Sequence, residues 1–414
     1  MSNTKKKKKR KRYKINWNVL IPDFIANPKK PRKKLKKPVL IGGIVIILLL
    51  VSIFTVPSYL TNSNLKKLGY NKSEINEIKE LKLTNTIIKN KYYSEALAKA
   101  LLDKNLNTDY LPLYLAVNAD KTITDTDFLL FSRLEDKGYE VDQIQNLFQN
   151  LEFYEITPLL LFDYQYNENT YIEDCKANRE TNSQDSFSLT NSYVTYYDKA
   201  KELTNTDSIT AVISKNALLP STYVPTDLTD IDSNFSVDGV QLRKEAAENF
   251  TDFATNASSN GARIYAVLAY RSYEDQDSAY ENLAYYNGDD YALTHAAKAG
   301  ASEHQSGLAV NVSVVGEESS DFLSTTSGQW ATEHCSEYGF IVRYPSGKEY
   351  LTGFQAETDH FRYVGKEVAQ AVVNSKLTYD EFYALYLQDW TDETYKPSQS
   401  IIDNAYQANI STTE

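Results

Sequence analysis

SEHQSGLAVNV, Ser302–Val312, decides how the C-terminal half of this chain is read, together with TGFQAETDHFRYVG, Thr352–Gly365. In LAVNVSV, Leu308–Val314, small or polar residues alternate with valine. Such alternation puts Ala309, Asn311 and Ser313 on one face of a strand and Val310, Val312 and Val314 on the other. HFRYV, from His360, is a second short strand. Each run carries one histidine, His304 or His360, in a polar setting. Glu357 stands three residues before His360. That spacing suits a general base acting on a metal-bound water, once a turn brings both groups into one cleft.

Outward from these runs, helical and strand signals mix without a regular βαβ rhythm, which predicts an α+β domain over 190–390. Helical spacing covers Val240–Asn256, Tyr273–Tyr286 and Asp321–Tyr338; RIYAVLA from Arg263 and FIVRY from Phe340 read as strands. The polar stretch 167–189 reads as a surface linker and 391–414 as a disordered tail. From 61 to 166 the pattern is helical with almost no glycine, a stalk. Within it, LKKLGYNKSEINEI from Leu65 and LEDKGYEVDQIQNL from Leu134 match at a constant offset, each a helix closed by glycine, then a capped second helix.

The chain has 414 residues and a net charge of −11, but the charge is divided. Met1–Pro38 holds 16 Lys and Arg against the single acid Asp23, leaving 28 bases and 54 acids for the remainder. Between the two parts, Val39–Val56 is 18 residues without a charge, about 27 Å as a helix, enough to span a bilayer core. The positive-inside rule then places 1–38, a basic arm, in the cytoplasm and everything beyond the transmembrane helix 39–56 outside the cell. Beside a membrane span the lysine-rich arm is read as a topology signal touching anionic headgroups, not as a nucleic-acid site. Two cysteines, Cys175 and Cys335, exclude a disulfide scaffold or a four-thiolate metal site, and Cys335 reads as an unpaired, packed thiol.

From about Val212 to Val373, roughly 160 residues, the sequence resembles the VanY-like D-alanyl-D-alanine carboxypeptidases. These are zinc peptidases that trim peptidoglycan stem peptides and include L,D-carboxypeptidases. The resemblance is carried by YRSYEDQ from Tyr270, SEHQSGLAVNV from Ser302, YGFIVRYPSGKE from Tyr338, TGFQAETDHFRYVG from Thr352 and, more loosely, STYVPTDL from Ser221. It implies a small, mainly antiparallel sheet with flanking helices, zinc held by His304 and His360, and Glu357 as catalytic base. Arg271, Gln276, Ser302 and Tyr344 fall at positions that bind or orient the peptide, and the implied partners are peptidoglycan stem peptides. His295 and His334 match no ligand position and are read as structural or solvated.

Two departures stand out. The family pattern S-x-H-x-x-G-x-A-x-D ends here in Asn311, a neutral amide at the third metal position, which implies weaker zinc binding. ETDH replaces the usual Pro-Trp pair between Glu and His with Thr358 and Asp359. Strand alternation is expected to turn Asp359 away from a metal held by His360. Two functions follow: a membrane-anchored extracytoplasmic zinc carboxypeptidase removing terminal D-alanine, or an impaired pseudoenzyme that binds cell-wall peptides or partner proteins.

Overall fold

The computed structural model describes residues 59–162, 168–181, 196–317 and 321–387. The basic arm, the apolar run Val39–Val56 and the polar tail lie outside the described residues; among those described, no helix is long and apolar enough to cross a membrane. The chain forms two compact units, the first ending at Tyr92 and the second beginning at Tyr93.

In the first unit, residues 59–68 are helical, Gly69 turns at φ 120°, and Asn71 opens helix α1 (Lys72–Glu80). The Asn71 carboxamide accepts from the Ser73 and Glu74 amides while Glu74 accepts from the Asn71 amide, so two orphan donors at the helix start are satisfied reciprocally. Leu65, Tyr70, Ile75, Ile78 and Ile87 are buried. The second copy of the sequence repeat has the same local plan inside the other unit: helix α2 (Asp125–Lys137), Gly138 at φ 98°, then α3 (Val141–Asn150). In both copies glycine takes the left-handed conformation that any side chain would strain.

Two organisational expectations need correction. The polar stretch expected to be a linker contains helix α4 (Glu168–Thr181), with Tyr171, Ile172, Cys175 and Asn178 buried along one face. That face is apolar at helical steps but diluted by the polar residues around it, so composition alone misses it. Nor is the helical region a stalk throughout, because from Tyr93 onward it belongs to the unit that holds the main sheet. Leu130, Phe131, Leu134, Ile144 and Leu147 share one core with Tyr350, Leu351 and Leu385. Polar contacts reinforce that packing: Thr157 Oγ1 donates to Glu381 Oε1 at 2.7 Å, and Arg133 Nε to the Leu385 carbonyl at 3.2 Å.

The sheet region is α+β, as expected. Helix α5 (Lys244–Ser259) is followed by β1 (Ile264–Leu268), α6 (Tyr273–Asn287), α7 (Asp289–His295), β2 (Ala309–Val314), α8 (Thr326–His334), β3 (Phe340–Tyr344), β4 (Glu357–Tyr363) and, near the C-terminus, α9 (Tyr379–Phe382). Strand order is β1-β2-β4-β3, every neighbouring pair antiparallel. The helix expected over 321–338 is broken into α8 between two 3₁₀ turns, ending at Gly339 with φ 85°. Helix α5 covers one sheet face, burying Phe250, Phe253, Ala254 and Ala257 against Ala266, Val310, Val312, Phe340 and Phe361. Phe253 sits at the centre, within 5.1–6.2 Å of the rings of Trp330, Tyr338, Phe340 and Phe361. Burying each such side chain favours folding by about 1.5–3 kcal/mol. Cys175 and Cys335 are both free and buried; burial pushes the Cys335 thiol up to about 12, which makes it inert.

Candidate active site

The valine face of β2 is spent on the core, so its other face is free to line a cavity. Asn311 pairs across the sheet with His360 on β4 and with Leu268 on β1. Both flanks of this point are irregular. The β1–β2 register slips between Ala266 and Leu268, and the β3–β4 register slips between Val342 and Tyr344, where β4 carries two extra residues between the partners Phe361 and Glu357. Bulges of this kind bend a strand and re-aim its side chains.

A cavity of about 400 Å³ opens there, and Arg271, Gln276, Ser302, His304, Asn311, Tyr344, Glu357 and His360 all line it. These eight residues span 90 positions of sequence, and the sheet brings them together. The rings of His304 and His360 lie 4.9 Å apart, with the Tyr344 ring 4.9 Å from His360 and nearly perpendicular to it. Glu357 Oε2 is 3.0 Å from His360 Nδ1. Arg271 Nη1 donates to Gln276 Oε1 at 3.0 Å, while Gln276 Nε2 donates to the Ala297 carbonyl at 2.7 Å, so the guanidinium is held from α6. The Ser302 hydroxyl accepts from the His304 amide at 3.4 Å, capping the 3₁₀ turn that presents the histidine. STYVPTDL also serves that turn, since Gln305 Nε2 donates to the Pro220 and Tyr223 carbonyls. Gly307 closes it at φ 66°, where any side chain would be strained, and a Cβ there would meet the Leu228 side chain at 2.8 Å, so a substitution would force a local shift.

Burial sets the electrostatics. It pulls His304 down to about 3, helped by His360 and Arg271, so the ring is neutral with a free lone pair at any ordinary pH. Burial would raise the Glu357 carboxyl, but the hydrogen bond and charge of His360 outweigh it and hold the group below its usual range. Burial also keeps the Tyr344 phenol protonated. Beneath the His304 turn lies a fully buried ion network. Glu303 Oε1 takes Arg343 Nε at 2.7 Å and Arg362 Nη1 at 3.0 Å, and Arg343 also forks onto Asp380 of α9.

Lys215 ties α7 to the turn at Gly353. Its buried ammonium donates to the Leu293 carbonyl on α7 and to the Gly353 carbonyl, between the rings of Tyr196 and Phe354 at 4.1 and 4.4 Å. Burial pulls it down from 10.5 to about 7. The unfolded chain therefore holds this proton to higher pH than the folded one, and the fold gains stability as pH rises from about 7 toward 10.5. Over pH 7 to 9 the wild type should gain about 1–2 kcal/mol relative to Lys215→Met, read from urea midpoints at each pH. A difference that stays constant across that range would refute the buried amine.

Comparison with known proteins bears on what this cavity is. A family model described as VanY, D-alanyl-D-alanine carboxypeptidase, matches residues 239–366. Over 220 residues the chain is 35% identical to the putative carboxypeptidase YodJ of Bacillus subtilis strain 168, covering 51% of this chain and 80% of that protein. The chain belongs to the VanY family. It is also 32% identical over 177 residues to the bifunctional D-Ala-D-Ala dipeptidase and carboxypeptidase VanXYC of Enterococcus gallinarum, covering 42% of this chain and 92% of the relative. The solved LdcB LD-carboxypeptidase is 34% identical, covering 45% of this chain and 91% of that one, with a TM-score of 0.43.

VanY-family membership implies zinc, and the side chains present fit such an ion. His304 Nδ1 and His360 Nε2 are buried without hydrogen-bond partners, in two imidazoles of the kind zinc prefers. Among the described residues no three His, Cys, Asp or Glu side chains gather as a metal cluster; the Asn311 amide stands beside the histidines instead.

Sequence reasoning misjudged one neighbour of this site. Asp359, expected to turn away, lines the same cavity as His360 and accepts a hydrogen bond from Asn311 Nδ2 at 3.3 Å. The two extra residues on β4 break the two-residue alternation on which that expectation stood. His295, read as structural or solvated, lies on the cavity rim, its ring stacked on Tyr291 at 3.7 Å. Glu303 and Phe354 also line the cavity and carried no separate signal, although both lie inside the quoted motifs.

Proposed function

We propose that this chain is a zinc carboxypeptidase that removes a C-terminal D-alanine from peptidoglycan stem peptides, working outside the cell and anchored by Val39–Val56. The observation that carries the reading is one cavity lined by two imidazoles, the Glu357 carboxylate and the Arg271 guanidinium. Family membership and the names of the relatives support it. The apolar run with its basic N-terminal flank supports the anchoring.

Zinc held by His304, His360 and the Asn311 carbonyl oxygen would polarise the scissile carbonyl and acidify a water. Arg271, steadied by Gln276, forks onto the substrate's terminal carboxylate and so restricts cleavage to the last residue. Glu357, ionised, takes the proton of the attacking water and returns it to the departing amine. The protonated Tyr344 phenol offers a hydrogen-bond donor beside His360.

Full-length protein supplied with zinc should release D-alanine from a peptide ending in that residue. Amidating the peptide terminus, or Arg271→Met, should raise KM about 10- to 100-fold, the worth of a charge-assisted pair. Equal cleavage of the acid and the amide would end the carboxypeptidase reading. Running substrates that end in D-Ala-D-Ala beside those with a single D-Ala assigns the D,D or L,D class. The neutral Asn311 amide favours a second reading, a peptide-binding protein with little turnover. Peptide binding without D-alanine release at saturating zinc would select it.

A further inference from the structure

Asn311 sits among carboxylates. Its Nδ2 donates to Asp359 Oδ2 at 3.3 Å, and the Glu357 carboxylate lines the same cavity. A carboxamide has two N–H donors and one carbonyl oxygen, and a carboxylate can only accept. With the nitrogen end directed at Asp359, Oδ1 is the atom left for another partner. Across the strand pair that neighbour is His360, one of two buried imidazoles that each keep a ring nitrogen without a partner. Glu357 is needed for proton transfer in the reading given above; Asp359 has no part in that reaction, yet the irregular stretch of β4 points it into the same cavity.

We propose that Asp359 is a positioning residue for the metal site. It anchors the Asn311 amide by its nitrogen so that Oδ1 is presented as the third donor, and its carboxylate supplies the negative charge that a neutral amide lacks. One acid and one amide on adjacent strands thus do together what a single carboxylate ligand does alone. The inference rests on the zinc reading of the cavity and extends it to the residue that makes an amide ligand workable. A carboxylate behind a metal ligand both orients it and raises its donor strength, and losing such a partner weakens metal binding by about 10- to 100-fold.

The test is zinc affinity, measured without substrate on the full-length protein stripped by chelator and titrated against a chromophoric competitor. Asp359→Asn keeps the shape and removes the charge, and it should weaken zinc 10- to 100-fold, with little change in melting temperature because Asp359 is only half-buried. The exchanged pair, Asn311→Asp with Asp359→Asn, puts the carboxylate on β2 and the amide on β4, and should regain wild-type affinity within about threefold. Asp359→Asn binding zinc as the wild type does would overturn the proposal, as would an exchanged pair no better than Asp359→Asn alone. A wild type that binds no zinc would instead bring down the metal reading itself. A wild type that binds zinc but cleaves no peptide leaves the role of Asp359 standing and removes only the carboxypeptidase reading.

Discussion

Glu357→Gln should lower the turnover of D-alanine release by about 10²- to 10⁴-fold, with KM and zinc content little changed. Gln keeps the length and one oxygen of the side chain but cannot take a proton. The loss therefore falls on an interaction made only in the transition state, which lowers kcat and leaves ground-state binding alone. Glu357 is suited to the task because it lines the cavity, lies 3.0 Å from His360 Nδ1, and is held ionised. Steady-state kinetics on a D-Ala-terminated peptide, with metal analysis of the same sample, checks this. Turnover within threefold of the wild type would rule out Glu357 as the base.

The largest stability effect belongs to Arg343→Met. Arg343 is 1% exposed and holds two carboxylates at once, Glu303 under the His304 turn and Asp380 on α9. Met fills most of the volume and removes the charge, leaving Glu303 with Arg362 alone and Asp380 without its cation. Stripping one partner from a buried ion network costs about 3–5 kcal/mol, since the stranded charge keeps its desolvation cost. Against a total stability of about 5–15 kcal/mol, that brings the domain close to unfolding at ordinary temperatures. Urea denaturation of variant and wild type measures it, and a loss under about 1 kcal/mol would show that the network contributes little. Because Glu303 adjoins His304, zinc affinity should fall in parallel.

The eight residues singled out in the motifs all reach one cavity, and the reason is physical. Three of the motifs pair a short strand with a turn whose glycine, Gly307, Gly339 or Gly353, takes positive φ, while Arg271 and Gln276 come from the start of α6 and the residues just before it. Val310 and Val312 had to face the core, so Asn311 had to face away from it. Where alternation failed, it failed at Asp359, because two extra residues on β4 lie opposite β3, and a bulge belongs to a pair of strands rather than to either one. The linker expectation failed at α4 for a different reason. Tyr171, Ile172 and Cys175 form a narrow apolar stripe whose polar surroundings dominate any average over the segment.

Local features were determined by the sequence alone: the capped helix starting at Asn71, the left-handed glycines 69 and 138, the strands around His304 and His360, and the spacing of Glu357 from His360. These depend on interactions within a few residues, which periodicity and turn chemistry describe. Partnership was decided only by the tertiary structure. Leu134 and Leu147 announce an apolar face but not that Leu385 and Tyr350 will cover it. Arg343 reads as a polar residue in a strand, yet it ends up buried between Glu303 and Asp380. Contacts between residues tens to hundreds of positions apart follow from how whole faces close on one another, and that closure also set Asp359 against Asn311.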